Sequence, residues 1–304
     1  QEPPAEIPET APRASWPEEG SISVKDVSLR YAPDLPQVIR NVTCEVKPCN
    51  KGGIVGRTGA GKSTIMTAFF RFIDPDTGSI KIDGVDITSI GLRNLRQAIT
   101  IIPQDPTLFT GTIKSNLDPF GQYSDDQIFE SLRRVNLIGA DEVVKSSSSP
   151  ATSESSTPAA EANQNKFLNL DSTVTEGGGN LSQGQRQLMC LARSLLKSPK
   201  VILLDEATAS IDYKSDALIQ QTIRDEFSNS TILTIAHRLR SIIDYDKILV
   251  MDAGTVVEYD DPYKLITEKL SLFYSMCENS GELDSLIKLA KEAFIAKKND
   301  KLSK

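Results

Sequence analysis

Apolar residues alternate with polar ones near the start of the chain. Positions 22, 24, 27 and 29 form one strand-like run, and Val42 and Val46 belong to a second. Such alternation is typical of half-buried strands, so we expect an antiparallel β element beginning near Ser21. The apolar run 53–55 then leads through a glycine-rich turn into 62–73, where apolar side chains repeat at helical spacing. This pattern predicts a strand, a loop and a helix.

Short apolar runs then alternate with helical stripes. The runs 100–102, 201–204 and 231–235 are typical of strands buried on both faces of a parallel sheet. Helical stripes cover 125–137 and 214–227, and helix resumes after Ser182. Residues 247–251 and 255–258 flank a turn and predict a hairpin. The alternation predicts an α/β fold with a parallel sheet.

Two segments lack periodicity. Residues 1–20 are rich in Pro, Glu and Ala, so we interpret them as a linker from a preceding membrane domain. Residues of about 145–165 are rich in Ser, Thr, Pro and Ala, which predicts a disordered insertion. Its hydroxyls at 146–149 and 153–157 suggest phosphorylation. The chain begins with Gln1, which suggests a piece of a longer polypeptide.

Composition narrows the function classes. The 304 residues, with 39% hydrophobic content, can bury a substantial core. A formal net charge of -7 argues against a broad nucleic-acid-binding face. No apolar run approaches the roughly 18 residues that span a bilayer, so any membrane contact belongs to attached domains. The four cysteines lack CxxC spacing and the chain has one histidine, which favours reduced cytosolic thiols over zinc ligands.

A phosphate-binding loop lies between the predicted strand and helix. Its GxxxxGK[ST] pattern is formed by Gly56, Arg57, Thr58, Gly59, Ala60, Gly61, Lys62 and Ser63, followed by Thr64. Glycines let backbone N–H groups surround a phosphate, Lys62 can reach the β- and γ-phosphates, and the Ser63 hydroxyl can ligate Mg²⁺. The alternative is a glycine-rich turn that binds nothing.

Two adjacent carboxylates end the apolar run 201–204. Asp205 can hold Mg²⁺, directly or through water, and Glu206 can polarise an attacking water. A solvated acidic pair that caps the next element is the alternative.

The segment Asn180-Leu181-Ser182-Gln183-Gly184-Gln185-Arg186-Gln187 makes the resemblance specific. It resembles the LSGGQ signature of ABC ATPases, with Gln183 where glycine is usual, and Ser182 and Gly184 stand at a helix start that can grip a γ-phosphate. Taken alone, the segment could be an ordinary Ser-capped helix. In the family, the gripped phosphate belongs to a nucleotide held by the opposing domain.

Other short motifs of the family occur in the expected order along the chain. Gln104 resembles the glutamine of the Q-loop, and residues 209–212 resemble the D-loop, which ends at Asp212. His237 resembles the switch histidine, and Tyr31 resembles the aromatic residue that stacks on adenine. Alone, His237 and Tyr31 are more often structural residues. The stretches GRTGAGKST, SNLDPFGQYSD and LLDEATASID are most similar to the second nucleotide-binding domain of the multidrug-resistance-associated C subfamily, in a fungal-like form.

The resemblance implies an ABC ATPase fold over 21–270: a P-loop NTPase core with a parallel sheet, an antiparallel β subdomain and an inserted α-helical subdomain at about 105–185. A C-terminal helical tail follows at 271–304. It implies ATP and Mg²⁺ as bound groups, with Glu206, His237 and Gln104 catalytic and Ser63, Gln104 and Asp205 at the metal. The implied nucleotide contacts are Tyr31, Gly56 to Thr64, Ser182, Gly184, Gln185 and Asp212.

The resemblance also implies partner domains and a cellular location. We expect the first nucleotide-binding domain and the transmembrane domains of the same transporter as partners, at the cytosolic face of a plasma or vacuolar membrane. In this subfamily the first domain usually lacks the catalytic glutamate, so Glu206 would serve the one competent site.

Three functions remain to be compared. The favoured one is an ATPase domain that powers export of organic anions or conjugates. A regulatory nucleotide-sensing module with little turnover is the alternative, which Glu206 and His237 disfavour. A soluble ABC ATPase of chromosome maintenance would need a very long coiled coil between the phosphate loop and the signature, and only 64–180 intervene here.

Overall fold

A computed structural model describes residues 3–142, 165–206 and 211–302. The chain divides into two units. Unit 1 consists of Gln1–Gln104, Pro199–Thr208 and Ser228–Lys304, and unit 2 of Asp105–Ser198 and Ala209–Phe227. Unit 2 begins where we expected the helical subdomain, but it extends past residue 185 because the following helices pack within it.

The strands of the described residues are β1 (Ile22–Leu29), β2 (Ile39–Val46), β3 (Lys51–Gly56), β4 (Thr77–Ile82), β5 (Val85–Asp86), β6 (Ile99–Ile102), β7 (Gly111–Thr112), β8 (Thr173–Val174), β9 (Val201–Asp205), β10 (Thr231–Ile235), β11 (Lys247–Asp252) and β12 (Thr255–Asp260). The α-helices are α1 (Lys62–Phe69), α2 (Leu92–Ala98), α3 (Ile113–Leu117), α4 (Asp125–Arg134), α5 (Gln183–Lys197), α6 (Tyr213–Glu226), α7 (Pro262–Thr267), α8 (Leu272–Asn279) and α9 (Leu283–Leu302).

Unit 1 contains two sheets. The four-stranded sheet has the order β2-β1-β4-β5, and Ile22 of β1 lies opposite Val46 and Ile82 in antiparallel pairs. This confirms the antiparallel β element that the alternating pattern predicts. The six-stranded sheet has the order β12-β11-β3-β10-β9-β6, in which only the edge strand β12 pairs antiparallel. The predicted hairpin is β11 and β12.

The parallel strands are apolar because both faces of their sheet are covered. On one face Leu203 and Leu233 join a core with the antiparallel sheet and α1. On the other face Val55 and Val250 join a core with the C-terminal helices, including Phe273 of α8. Strands buried on both faces need continuous apolar runs, as this sequence has.

Two helices are shorter than their periodicity predicts. The apolar spacing extends to Ile73, but α1 ends at Phe69 and Arg71 takes a left-handed backbone with φ of 51°. The buried Arg71 guanidinium donates to the carbonyls of Ile87 and Ile90, at 3.1 and 2.7 Å. These tertiary contacts turn the chain where the local pattern would continue the helix. Similarly, α4 ends at Arg134 and not at Leu137, two residues before Asn136 adopts a φ of 61°.

The N-terminal segment is more ordered than its composition predicts. Trp16 donates its indole N–H to the carbonyl of Ile82 at 2.9 Å. The carboxylate of Asp83 accepts the backbone N–H groups of Glu19, Gly20 and Ser21 at 2.7–3.0 Å. Because the four-stranded sheet supplies these partners, the described residues before Ser21 pack on unit 1. Their role as a linker stays a prediction.

The C-terminal segment 271–304 is helical, with α8 and α9 as its helices. It is not a separate tail, because Cys277, Leu286 and Ala290 are buried in the core that covers one face of the six-stranded sheet. Within the described residues, no helix is both long and apolar enough to cross a membrane. All four cysteines are free, and only Cys49 is exposed.

Unit 2 is built on α5, which contacts α3, α4 and α6. The predicted Ser-rich insertion falls on residues 143–164, outside the described residues, but its two flanks are described. The amide of Asn165 donates to the carbonyl of Leu137 at 2.8 Å and to the carboxylate of Glu142 at 2.9 Å. The flanks of the insertion are therefore held together by hydrogen bonds.

Because its flanks already meet, the insertion is expected to be dispensable for folding. Deleting Ser146 to Gln164 should leave the melting temperature and ATP affinity nearly unchanged, since shortening a loop between fixed ends changes closure entropy by little. Differential scanning calorimetry and nucleotide titration measure both. Asn165→Ala is the matched control and should lower the melting temperature by several degrees, because it removes the bonds that join the flanks. A large loss from the deletion would show that the insertion packs against the domain.

Candidate nucleotide-binding site

Four neighbouring parallel strands of unit 1 end at one edge of the six-stranded sheet. In the order β3, β10, β9 and β6, they lead into the phosphate loop, His237, the Asp205-Glu206 pair and Gln104. Ile235 lies opposite both Ile54 and Asp205 in the ladder. The motif residues are spread over more than 180 positions of the sequence, and the sheet brings them together at the carboxyl ends of its parallel strands.

The phosphate loop has the backbone of a ligand cradle. Gly61 precedes α1 with a φ of 95°, and a Cβ there would lie 2.7 Å from Cγ2 of Ile39. Gly59 has a φ of 80° and nothing within 4 Å of such a Cβ. Only glycine fits at position 61 without strain, and position 59 faces open space. Arg57, Thr58 and Ser63 are also exposed, so the loop and the first turn of α1 present donors to a ligand.

Lys62 lies along the inside of this loop. Its ammonium donates to the carbonyl of Gly56 at 2.6 Å and to that of Arg57 at 3.1 Å. Burial lowers the pKa of Lys62 below its ordinary value, while the charge of Asp205 acts in the raising direction. The ammonium is thus held beside the loop and near the carboxylate at the end of β9, where a phosphate would meet both.

Asp205 has unused capacity to bind a cation. Burial raises the pKa of its carboxyl, and the nearby His237 and Lys62 pull the pKa down. Its Oδ1 is buried without a hydrogen-bond partner, at 3.7 Å from Nε2 of His237. A buried carboxylate oxygen without a partner fits a metal or a metal-bound water. Among the described residues, no cluster of three or more His, Cys, Asp or Glu side chains could hold a metal ion.

Glu206 has a different environment from its neighbour. It is only 4% exposed, and its Oε2 accepts the backbone N–H groups of His237 at 2.8 Å and Arg238 at 2.9 Å. The sequence places Glu206 near the switch histidine but gives no signal for these backbone partners. The side chain predicted to face the attacking water is thus bonded to the segment after β10.

Tyr31 also meets a partner that the sequence does not indicate. Its hydroxyl is 2.8 Å from the Oγ1 of buried Thr64 in the first turn of α1, and 49% of the residue is exposed. This contact ties Tyr31 to the first turn of α1, directly after the phosphate loop. The ring therefore lies beside the loop, as a stacking residue for a base requires.

Unit 2 carries the signature segment at the start of α5. Ser182 caps the helix by accepting the N–H of Gln185 at 3.1 Å, and Oε1 of Gln185 accepts the N–H of Ser182 at 3.0 Å. The Ser182 hydroxyl keeps its hydrogen for another acceptor. The Gln185 side chain is engaged in the cap, so its assignment as a nucleotide contact stays a prediction.

Gly184 is buried for a reason that the sequence does not show. A Cβ at Gly184 would lie 2.8 Å from Cβ of Ser215. Asp212 caps α6 and accepts the N–H of Ser215 at 3.0 Å, and bonds from Ser215 lower the pKa of that carboxyl. The start of the signature helix therefore packs directly on the start of the helix that follows the predicted D-loop. Ala209 and Ser210 of that loop lie outside the described residues.

A family model described as ABC transporter matches residues 39–209, more than half of the chain. The chain belongs to the ABC transporter family. Domains of this family are in general ATPases that lie on the cytosolic side of membranes. The predicted ABC ATPase fold is confirmed, since a solved structure titled as a bacterial Atm1-family ABC exporter with ATP bound has a TM-score of 0.75 and 30% identity. It covers 92% of this chain and 45% of that one.

Curated relatives narrow the subfamily. An ATP-dependent bile acid permease of Saccharomyces cerevisiae is 66% identical over 95% of the chain and 17% of that protein. A pleiotropic ABC efflux transporter of multiple drugs from Candida glabrata is 64% identical over 95% of the chain and 17% of that protein. The predicted fungal C-subfamily relationship is confirmed. This chain spans about a sixth of the length of these ABC transporters.

Proposed function

We propose that this chain binds and hydrolyses ATP and so powers an exporter of organic anions or conjugates. One observation carries the proposal: a phosphate loop containing Lys62 lies beside a buried, unpartnered carboxylate oxygen of Asp205 at one sheet edge. The names of the two fungal relatives, a bile acid permease and a multidrug efflux transporter, support the substrate class. The plasma or vacuolar membrane is the proposed location.

Each site residue has a proposed task. Lys62 and the loop amides bind the β- and γ-phosphates, and Tyr31 stacks on the base. Ser63, Asp205 and Gln104 would hold Mg²⁺, which neutralises phosphate charge and orients the transferred group. His237 contacts the γ-phosphate, and Glu206 accepts a proton from the attacking water.

The signature segment serves a second nucleotide in this proposal. Ser182 and Gly184, at the capped start of α5, would grip the γ-phosphate held by the first nucleotide-binding domain of the same transporter. That domain's signature would in turn complete the site of Lys62 and Glu206. Transmembrane domains of the same protein would be the other partners. Steady-state ATPase activity of the two-domain protein tests the proposal, and the absence of ATP binding by this chain would contradict it.

Nucleotide selectivity is expected to be loose. Stacking on the half-exposed Tyr31 recognises an aromatic face, whereas the phosphate loop supplies most of the affinity. GTP should therefore bind within about tenfold of ATP, a difference of about 1.4 kcal/mol. Competition titrations with both nucleotides measure the ratio.

Two variants of Tyr31 serve as controls. Tyr31→Phe keeps the ring and should leave the ratio of the two affinities unchanged, while Tyr31→Ala should weaken both nucleotides by a similar factor. Discrimination of several hundredfold would mean that hydrogen bonds to the base edge read the nucleotide.

A further inference from the structure

The backbone that leads into the switch histidine is held by a side chain from the next strand. Ala236, the residue after β10, donates its N–H to the carbonyl of Ile54 at 3.0 Å. The next two donors, on His237 and Arg238, both point at Oε2 of Glu206. Glu206 also donates its own N–H to the carbonyl of Ile235 at 3.0 Å. Glu206, directly after β9, therefore both accepts hydrogen bonds from the residues after β10 and donates one to the last residue of β10.

These bonds are of a strong kind. A carboxylate that accepts backbone N–H groups makes charge-assisted hydrogen bonds, which are shorter and about twice as strong as neutral ones. Glu206 is nearly fully buried, so water competes little for the two donors. Without the carboxylate, two successive N–H groups just past the end of a strand would lose this acceptor.

The imidazole of His237 lies near a carboxylate at the end of β9, beyond hydrogen-bond distance. Its Nε2 lies 3.7 Å from Oδ1 of Asp205, the residue before Glu206. The carboxylate of Asp205 thus faces the imidazole of His237, and the carboxylate of Glu206 accepts the backbone N–H of the same residue. Small changes at Glu206 should therefore move the ring of His237.

We propose that Glu206 is the positioning residue of His237, in addition to the hydrolytic role proposed above. Its carboxylate fixes the backbone of His237 and Arg238 and sets where the imidazole points. The carboxylate that is proposed to take a proton from water is thus the one that holds this backbone, so the residue links the placement of His237 to hydrolysis. The anchoring rests on geometry alone, while its coupling to turnover rests on the proposed function.

Amide hydrogen exchange of the nucleotide-free 304-residue chain tests the anchoring. Glu206→Ala should speed exchange at His237 and Arg238 by about 10- to 100-fold, the range expected for the loss of a bond to a charged acceptor. Glu206→Gln should retain most of the protection, because a carboxamide oxygen in the same place can accept both N–H groups. Exchange at 232–235 of β10 is the internal reference and should change little in either variant.

The chain has one histidine, so its imidazole supplies a second readout that a general loss of stability would not reproduce. At fixed pH, the single imidazole Cε1–H resonance should shift and broaden in Glu206→Ala and stay close to wild type in Glu206→Gln. Glu206→Asp keeps the charge but is one methylene shorter, so it should give an intermediate result, and it replaces the alanine variant if that one fails to fold.

Outcomes for the two proposals can be separated. Unchanged exchange at His237 and Arg238 together with an unchanged resonance in the alanine and aspartate variants would overturn the anchoring, whatever happens to turnover. Conversely, loss of protection in Glu206→Ala combined with normal ATPase activity of Glu206→Gln would support the anchoring and contradict the hydrolytic role.

Discussion

We expect Glu206→Gln to lower the steady-state ATPase rate of the two-domain transporter by about 10²- to 10⁴-fold, the usual contribution of general-base assistance. Glutamine keeps the size of the side chain and can still accept the N–H groups of His237 and Arg238. It removes only the basic carboxylate, so ATP binding survives. The variant should accumulate an ATP-bound, closed pair of domains, visible as retained nucleotide after rapid gel filtration.

The assay requires the intact protein, because we propose that the signature of the first nucleotide-binding domain completes this site. Glu278→Gln is the matched control, since this exposed glutamate lies on α8, outside the proposed site, and its change should leave the rate unaltered. If Glu206→Gln retained most of the wild-type rate, another group would be the base. The regulatory nucleotide-sensing function would then be favoured.

Lys62→Ala acts one step earlier, at binding. In the proposed function the ammonium makes a charged contact with the phosphates, and in the structure it donates to the carbonyls of Gly56 and Arg57, so its loss would remove both the contact and a support of the loop. Bonds to charged groups are worth about 1.5–3 kcal/mol, so ATP affinity at this site should fall by at least about 10- to 100-fold. Equilibrium titration with ATP measures this loss directly.

The two variants must differ in domain closure. Lys62→Ala should fail to close at this site, whereas Glu206→Gln should stay closed. Lys81→Ala, which removes an exposed lysine of β4, is the control and should bind ATP as wild type does. Normal ATP affinity in Lys62→Ala would show that this loop does not hold the triphosphate.

Much of unit 1 could be predicted from periodicity. Strands buried on both faces, such as β9 and β10, have continuous apolar runs. In β1, which is partly exposed, polar residues separate the buried apolar positions 22, 24, 27 and 29. Helix ends could not be predicted in the same way. The helix α1 ends where Arg71 turns to reach carbonyls 16 and 19 positions further along the chain, and no local pattern contains that information.

The two segments assigned by composition illustrate the same limit. Residues before Ser21 lack a core-forming pattern, yet Asp83 and Ile82 supply acceptors for their N–H groups. Composition predicts whether a segment can fold by itself, but it does not predict whether a folded surface elsewhere offers partners.

The sequence by itself determined which residues are candidates for the chemistry, because the phosphate loop, the carboxylate pair and the signature are local patterns that are recognised by their spacing. Only the tertiary structure decided how those groups are paired. Tyr31 with Thr64, Gly184 with Ser215, and Glu206 with the backbone of His237 are separated by 31 to 33 positions in the chain. The packing of neighbouring strands and helices brings each pair together, and hydrogen bonds and close contacts of this kind depend on angstrom distances that periodicity does not specify.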